Sequence, residues 1–156
     1  MPKRDYLDDP HAPAPNSLVV AVGAVVRNRD GAMLLIKRGD NGLWALPGGA
    51  QDVGESTTEA VVREVREETG VVVRVTGLVG IYSNPGHVIA YDDGEVRQEF
   101  SIVFKAEPTG GQLRPSAESV SVGWITLDQL PELEVHPSMR LRVEHGFADL
   151  ASPYLG

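Results

Sequence analysis

The chain has 156 residues, and 14 Lys and Arg against 22 Asp and Glu leave a formal charge of −8. That length suits one domain with an ordinary core, and the acidic balance argues against a broad nucleic-acid footprint or binding to an anionic membrane, both of which need excess cations. With no cysteine, disulfides, thiolate nucleophiles and thiolate-bound zinc are excluded, and a cytoplasmic enzyme or binding domain is the expectation.

An apolar content of 42% and a mean hydropathy of −0.13 fit a folded globular chain. The longest apolar stretch, 18–26, is far too short to span a bilayer, and the acidic, Pro-rich N-terminus does not read as a signal peptide. Residues 1–17 carry Pro2, Pro10, Pro13 and Pro15 and are expected to form an extended arm, loose or packed on a neighbour. Residues 18–156 then make a single domain.

Residues 18–27 are Val-rich, and they and the apolar run 33–38 surround a turn of Asn28, Arg29, Asp30 and Gly31, which predicts a hairpin. Residues 39–49, ending in Leu46, Pro47, Gly48 and Gly49, predict a loop. From Thr57 the period changes: Val61, Val62, Val65 and Thr69 fall on one side of a helix that ends at Gly70, a natural left-handed cap. A β-branched strand over 71–75 follows, then a loop through Asn84, Pro85 and Gly86. Residues 87–91 and 96–106 flank Asp92, Asp93 and Gly94 as a second hairpin. Gly110 and Gly111 open another loop. A strand over 120–126, a helical turn over 127–130 stopped by Pro131, and a closing helix over 138–150 complete the chain. The order predicts an α/β sandwich with a mixed β-sheet and contains no βαβ nucleotide fingerprint.

The helix before Gly70 concentrates like charge. Glu64, Glu67 and Glu68 share one face, and each i,i+3 or i,i+4 acidic pair costs about 0.2–0.5 kcal/mol. Their place near the helix C-terminus costs about 0.3–1 kcal/mol more per residue. Arg63 offsets part of this through Glu59 and Glu67. Two explanations fit: a solvated acidic face, or a set of oxygen ligands for a hard divalent cation such as Mg²⁺ or Mn²⁺, which removes the repulsion.

The flanking residues bear on that choice. Gly49, Glu55 five residues further, then after seven more Arg63, Glu64, Val65, Arg66, Glu67, Glu68, Thr69, Gly70 and Val71 match G-x5-E-x7-R-E-U-x-E-E-x-G-U at every fixed position. A chance match of seven fixed residue types is on the order of 10⁻⁹ per start site. The chain resembles a Nudix hydrolase, and Trp44, Ala45, Leu46, Pro47, Gly48 and Gly49 extend the likeness upstream. The resemblance implies an α/β/α sandwich and hydrolysis of a nucleoside diphosphate linked to a group X, with a metal-activated water attacking one phosphorus. It implies Glu64, Glu67 and Glu68 as metal ligands, one of them helping to deprotonate water, and the Gly48 carbonyl as a further ligand. Arg63 would pair with box carboxylates, Glu55 would brace the loop or help bind metal, and Gly49, Glu55 and Gly70 form the structural loop and end of the box.

Outside the box, Glu118 lies six residues before Trp124, much like a second-site carboxylate in some Nudix enzymes. It is either a third-metal ligand, a general base or a plain loop acid. Arg38, ending the second strand, either meets a substrate phosphate bidentately or is solvated. Glu99 either approaches the site or follows from strand alternation. Trp44 and Trp124 read as core aromatics more than stacking platforms, Tyr82 and Tyr91 are free to stack on a base, and the four histidines show no zinc spacing.

Pro85 stands 15 residues beyond Gly70, about where ADP-ribose-cleaving family members carry a proline, although a turn proline needs no function. It tilts the expected substrate towards ADP-ribose or a related ADP-sugar. The alternatives are a nucleoside triphosphate pyrophosphatase of the 8-oxo-dGTP-cleaning type and a non-catalytic nucleotide-sugar sensor. Homodimers are frequent among ADP-sugar relatives, and the Pro-rich arm is available for such an interface. No nucleic-acid or membrane partner is expected.

Overall fold

Along residues 17–26 successive side chains turn to opposite sides, and over 22–26 both sides are buried: Val22, Ala24 and Val26 join one apolar core and Val25 the other. A strand covered on both faces belongs in the middle layer of a sandwich. The computed structural model describes residues 3–156. In chain order the elements are β1 (Lys3–Leu7), β2 (Ser17–Val26), β3 (Met33–Arg38), β4 (Trp44–Ala45), β5 (Gly48–Ala50), α1 (Thr57–Thr69), β6 (Val71–Tyr82), β7 (His87–Tyr91), β8 (Val96–Gly111), β9 (Ser119–Ile125), a 3₁₀ helix (Leu127–Glu132), α2 (Pro137–Ala148) and β10 (Tyr154–Leu155).

The main sheet runs β1-β7-β8-β2-β5, with β6 also paired to β8 and β10 to β6. β2 and β8 are parallel and β6 and β8 antiparallel, so the sheet is mixed, as expected. Helix α1 packs Ala60, Val61 and Val65 on one face, against Val22, Ala24 and Phe104. Helix α2 packs Val143 on the other, against Val25 and Val103. Val61, Val65 and Val143 are fully buried, each contributing about 1.5–3 kcal/mol of burial. A small sheet, β4-β3-β9, closes the sandwich. No helix among the described residues is long and apolar enough to cross a membrane.

Local chemistry sets the ends of α1. Ser56 Oγ accepts the Glu59 amide while the Glu59 carboxylate accepts the Ser56 amide, each at 3.1 Å. At the other end Gly70 has φ of 78°, which favours glycine. Glu59 therefore serves the cap and forms no ion pair with Arg63 among the described residues, contrary to expectation.

Three further expectations are corrected. The Asn28 turn forms, with Asn28 Oδ1 accepting the amides of Asp30 and Ala32 at 3.0 Å. Yet β2 and β3 part after one bridge between Arg27 and Met33, and β3 joins the small sheet. The cause is burial of Met33, Leu34, Leu35 and Ile36 to 2% exposure or less, which demands cover on both faces rather than a hairpin position. The N-terminal arm is neither loose nor on a neighbour at its start: β1 pairs antiparallel with β7 of its own chain, Lys3 opposite Tyr91 and Leu7 opposite His87. Finally, β8 runs on through Gly110 and Gly111, where β6 continues to pair with it.

Candidate active site

Helix α1 presents its glutamates at different depths. Glu68 is 6% exposed, whereas the Glu64 and Glu67 side chains are 16% and 59% exposed. Arg63 organises this face. Its Nε and Nη2 donate to Glu55 Oε2 and Oε1 at 2.6 and 2.9 Å, and Nη1 donates to Glu64 Oε1 at 2.9 Å and Glu67 Oε2 at 3.2 Å. Nη2 also reaches the Ala50 carbonyl at 3.2 Å. One guanidinium thereby fastens the loop to the helix. Its hydrogen bonds, with that of the Asp52 amide, hold the Glu55 carboxyl down to about 2.

Glu68 is the reverse case. Burial pushes its carboxyl up to about 8, although the Gly48 amide donates to Oε1 at 2.8 Å; the charges of Glu64 and Glu118 add to the rise and Arg38 opposes it. Burial also raises Glu64, against the pull of Arg63. Gly49 stands so close that a Cβ there would lie 2.7 Å from the Glu64 carboxylate. Two desolvated carboxylates side by side are an excess of negative charge that a cation would relieve.

Whether these residues suit a metal follows from their donor chemistry. Oxygen donors alone, with excess negative charge, suit a hard ion such as Mg²⁺ or Mn²⁺. Among the described residues no three His, Asp or Glu side chains already converge as a cation site. Arg63 occupies Glu67 and one oxygen of Glu64, and Gly48 occupies one oxygen of Glu68. The donor set fits in kind, and binding requires the carboxylates to exchange these partners for the ion.

Arg38, Gly48, Gly49, Glu64, Glu68 and Glu118 line a common cleft of about 390 Å³. Glu55, Arg63 and Gly70 are not among the residues lining it, and Arg63 and Glu67 line an open groove on the outer side of α1. The fork of Arg38 is already occupied by Asp40, at 2.9 and 2.8 Å, which raises its pKa further. Glu118 sits on the loop before β9, its carbonyl accepting the Gly39 amide at 2.9 Å. Trp44 and Trp124 pack against the two cores.

The cleft has a second polar wall that the sequence did not announce, apart from Glu99. Ser101 Oγ donates to Glu99 Oε1 at 2.9 Å, and Arg142 Nη1 of α2 donates to Ser101 Oγ at 3.2 Å. All three are at most 9% exposed. Asp5 of β1 meets His87 Nε2 at 2.8 Å; burial works to raise its pKa, but the His87 hydrogen bond and nearby positive charge hold it below the ordinary carboxylate range. His136 Nδ1 accepts the Ser138 amide at 3.2 Å, which assigns the proton of the neutral ring to Nε2. Period-two alternation links Glu99 to Ser101 and is the one signal that could have extended the reading along β8. Arg142, in a helix rich in arginine, carries no such signal.

Residues 17–145 match the family described as NUDIX domain. A MutT-like protein of Streptomyces ambofaciens is 40% identical over 128 residues, 81% of this chain and 77% of that protein. An ADP-ribose pyrophosphatase of Methanocaldococcus jannaschii is 40% identical over 122 residues, 73% of this chain and 65% of that protein, so just under two thirds of the latter is spanned. The crystal structure of an ADP-ribose pyrophosphatase from Streptococcus suis aligns with a TM-score of 0.67 at 26% identity, covering 88% of this chain and 96% of that one.

Proposed function

The chain belongs to the NUDIX domain family, hydrolases of phosphorus-containing anhydrides, and from that premise we propose that it is a Mg²⁺- or Mn²⁺-dependent pyrophosphatase cleaving ADP-ribose or a related ADP-sugar. The observation that carries the metal-dependent chemistry is the burial of Glu64 and Glu68 side by side on the cleft. Glu64, Glu67, Glu68, Glu118 and the Gly48 carbonyl would hold the ion. When bound, it supplies charge neutralisation for the diphosphate and activation of water.

The chain's own residues do the rest. Arg63 holds the loop over residues 50–55 against α1 through Glu55 and the Ala50 carbonyl. Glu118, lining the same cleft, is the candidate to take a proton from water. Arg38, fixed by Asp40, contributes a steady positive charge to a phosphate. The ADP-sugar reading draws support from the Methanocaldococcus jannaschii relative. Pro85 adds its family-like position only, since it lies outside the residues lining the cleft.

The test is product analysis after incubation with Mg²⁺ and ADP-ribose, 8-oxo-dGTP or diadenosine tetraphosphate. AMP and ribose 5-phosphate are expected from ADP-ribose, and chelation or Glu68→Gln should stop their release. Turnover of 8-oxo-dGTP alone would replace the substrate with a damaged nucleotide. Binding without turnover would make the protein a sensor.

A further inference from the structure

We propose that the β8 and α2 wall of the cleft is a subsite for the vicinal diol of the substrate's terminal sugar, with Arg142, Ser101 and Glu99 as its recognition residues. The assignment rests on the diphosphate-sugar reading above and adds the part of the substrate that this wall selects.

Arg142 is a buried cation with too few partners. It is 7% exposed, its single hydrogen bond among the described residues runs from Nη1 to Ser101 Oγ at 3.2 Å, and its Nε is buried with no partner there. Burying a guanidinium without a carboxylate or a full set of acceptors is costly. Nε–H and the adjacent Nη2–H form the side-on fork of the guanidinium, a geometry made for two neighbouring acceptor atoms.

Acceptors stand near the guanidinium, with Ser101 Oγ at its Nη1 end. Ser101 Oγ donates to Glu99 Oε1 at 2.9 Å, and Glu99 Oε2 is bonded to no described residue. Glu99, Ser101 and Arg142 all line the cleft, as does Asp5. The fitting group must accept two hydrogen bonds side by side and donate in return. Vicinal hydroxyls do both. A second phosphate or a carboxylate only accepts, and it would meet Glu99 and Asp5 as like charges.

A nucleobase fits this wall poorly because the rings beside it are already engaged, Trp44 lining the cleft from β4 instead. Tyr82 carries Arg142 at 5.0 Å and stacks on Tyr154 at 4.9 Å. Tyr91 carries Arg97 at 4.8 Å, and the His87 and His136 rings lie parallel, 6.1 Å apart.

The distances along the floor are right for a sugar joined to a diphosphate. β8 and β5 are the two neighbours of β2, so at about 4.8 Å per strand spacing they lie roughly 10 Å apart. A sugar held at Ser101 and Arg142 of the one wall leaves its phosphates near Gly48, Gly49 and the α1 glutamates. A cavity of about 160 Å³ behind the cleft shares His87, Ser138 and Arg142 with it and gives room for the rest of the ring.

The experiment compares kcat/KM for ADP-ribose and for its analogue lacking the terminal ribose 2-hydroxyl, in the wild type, Arg142→Met and Ser101→Ala, with a melting curve for each. The wild type is expected to prefer ADP-ribose roughly ten- to hundredfold, the loss of one hydrogen bond to a charged group. Arg142→Met should bring that ratio near one, with the larger loss of activity on ADP-ribose. Should Arg142→Met not fold, Arg142→Lys, which lacks the fork, and Ser101→Ala carry the same reading. Equal cleavage of both compounds by the wild type, or a preference that survives the substitutions, overturns the diol assignment alone. Cleavage of neither compound overturns the diphosphate-sugar reading and the assignment with it.

Discussion

Gly49 lies directly against Glu64: a Cβ at Gly49 would be 2.7 Å from both Cδ and Oε1 of that glutamate. The loop reaches the helix at a contact with no room for a methyl group, and the casualty of adding one is a carboxylate on the cleft. Because the atoms met are the movable end of a side chain, Gly49→Ala should cost little stability. It should nonetheless lower kcat/KM by roughly tenfold or more as Glu64 is displaced. Melting curves and steady-state kinetics on ADP-ribose check both. A variant with unchanged kinetics would remove Glu64 from the site.

Arg63→Lys keeps the charge and loses the fork. A single ammonium cannot serve both Glu55 oxygens together with Glu64, Glu67 and the Ala50 carbonyl. The expected loss is about 1.5–3 kcal/mol, the range for hydrogen bonds to charged groups. Hydrogen exchange should quicken over residues 50–56. Exchange as slow as in the wild type would mean that the loop does not depend on this side chain.

Glu68 makes the metal-free protein sensitive to alkali. Its carboxyl stands at about 8 when folded, against an ordinary 4.5, so between those values the folded state binds the extra proton. Its contribution is fully present below about pH 4.5 and is lost as pH rises through about 8. Denaturant melts in chelator should show stability falling across that window, by an amount on the order of a few kcal/mol. Glu68→Gln should flatten the slope, and added Mg²⁺ should stabilise the wild type most at the alkaline end. An equally steep slope in Glu68→Gln would assign the effect to another group.

Glu67 separates catalysis from folding. Its side chain is 59% exposed and its one ion pair among the described residues is with Arg63, so Glu67→Gln should shift stability by no more than about 0.5 kcal/mol. If Glu67 leaves Arg63 to bind metal during turnover, kcat should nonetheless fall by roughly 10²-fold or more. Full activity would show that Glu67 belongs to the outer groove alone.

Helix α1 and its glutamate face were legible because local rules set them: apolar spacing, a glycine stop and fixed box positions. Strand partnership was less so. The Asn28 turn is a true local signal, yet Met33 to Ile36 are buried on both faces, and a run of four apolar residues does not say which sheet will claim it. β1 escaped notice because Lys3, Arg4 and Asp5 are polar and the strand has one partner among the described residues. The Arg142 wall was illegible for a related reason. A buried arginine and a surface arginine look alike in sequence, and only the packing of α2 over Ser101 distinguishes them.

Ser17 and Glu95 hydrogen-bond across 78 positions of the chain, and the parallel ladder of β2 with β8 that begins beside them forms the floor of the cleft. Helix α1 lies wholly between those strands and depends on local contacts, so its backbone signal should return early on refolding. The floor must wait for a large loop to close. During synthesis the glutamates thus emerge long before the surface that would present a substrate to them. Recovery of activity after dilution from denaturant should lag the recovery of helicity, making enzymatic turnover the reporter of the last strand pairing to form.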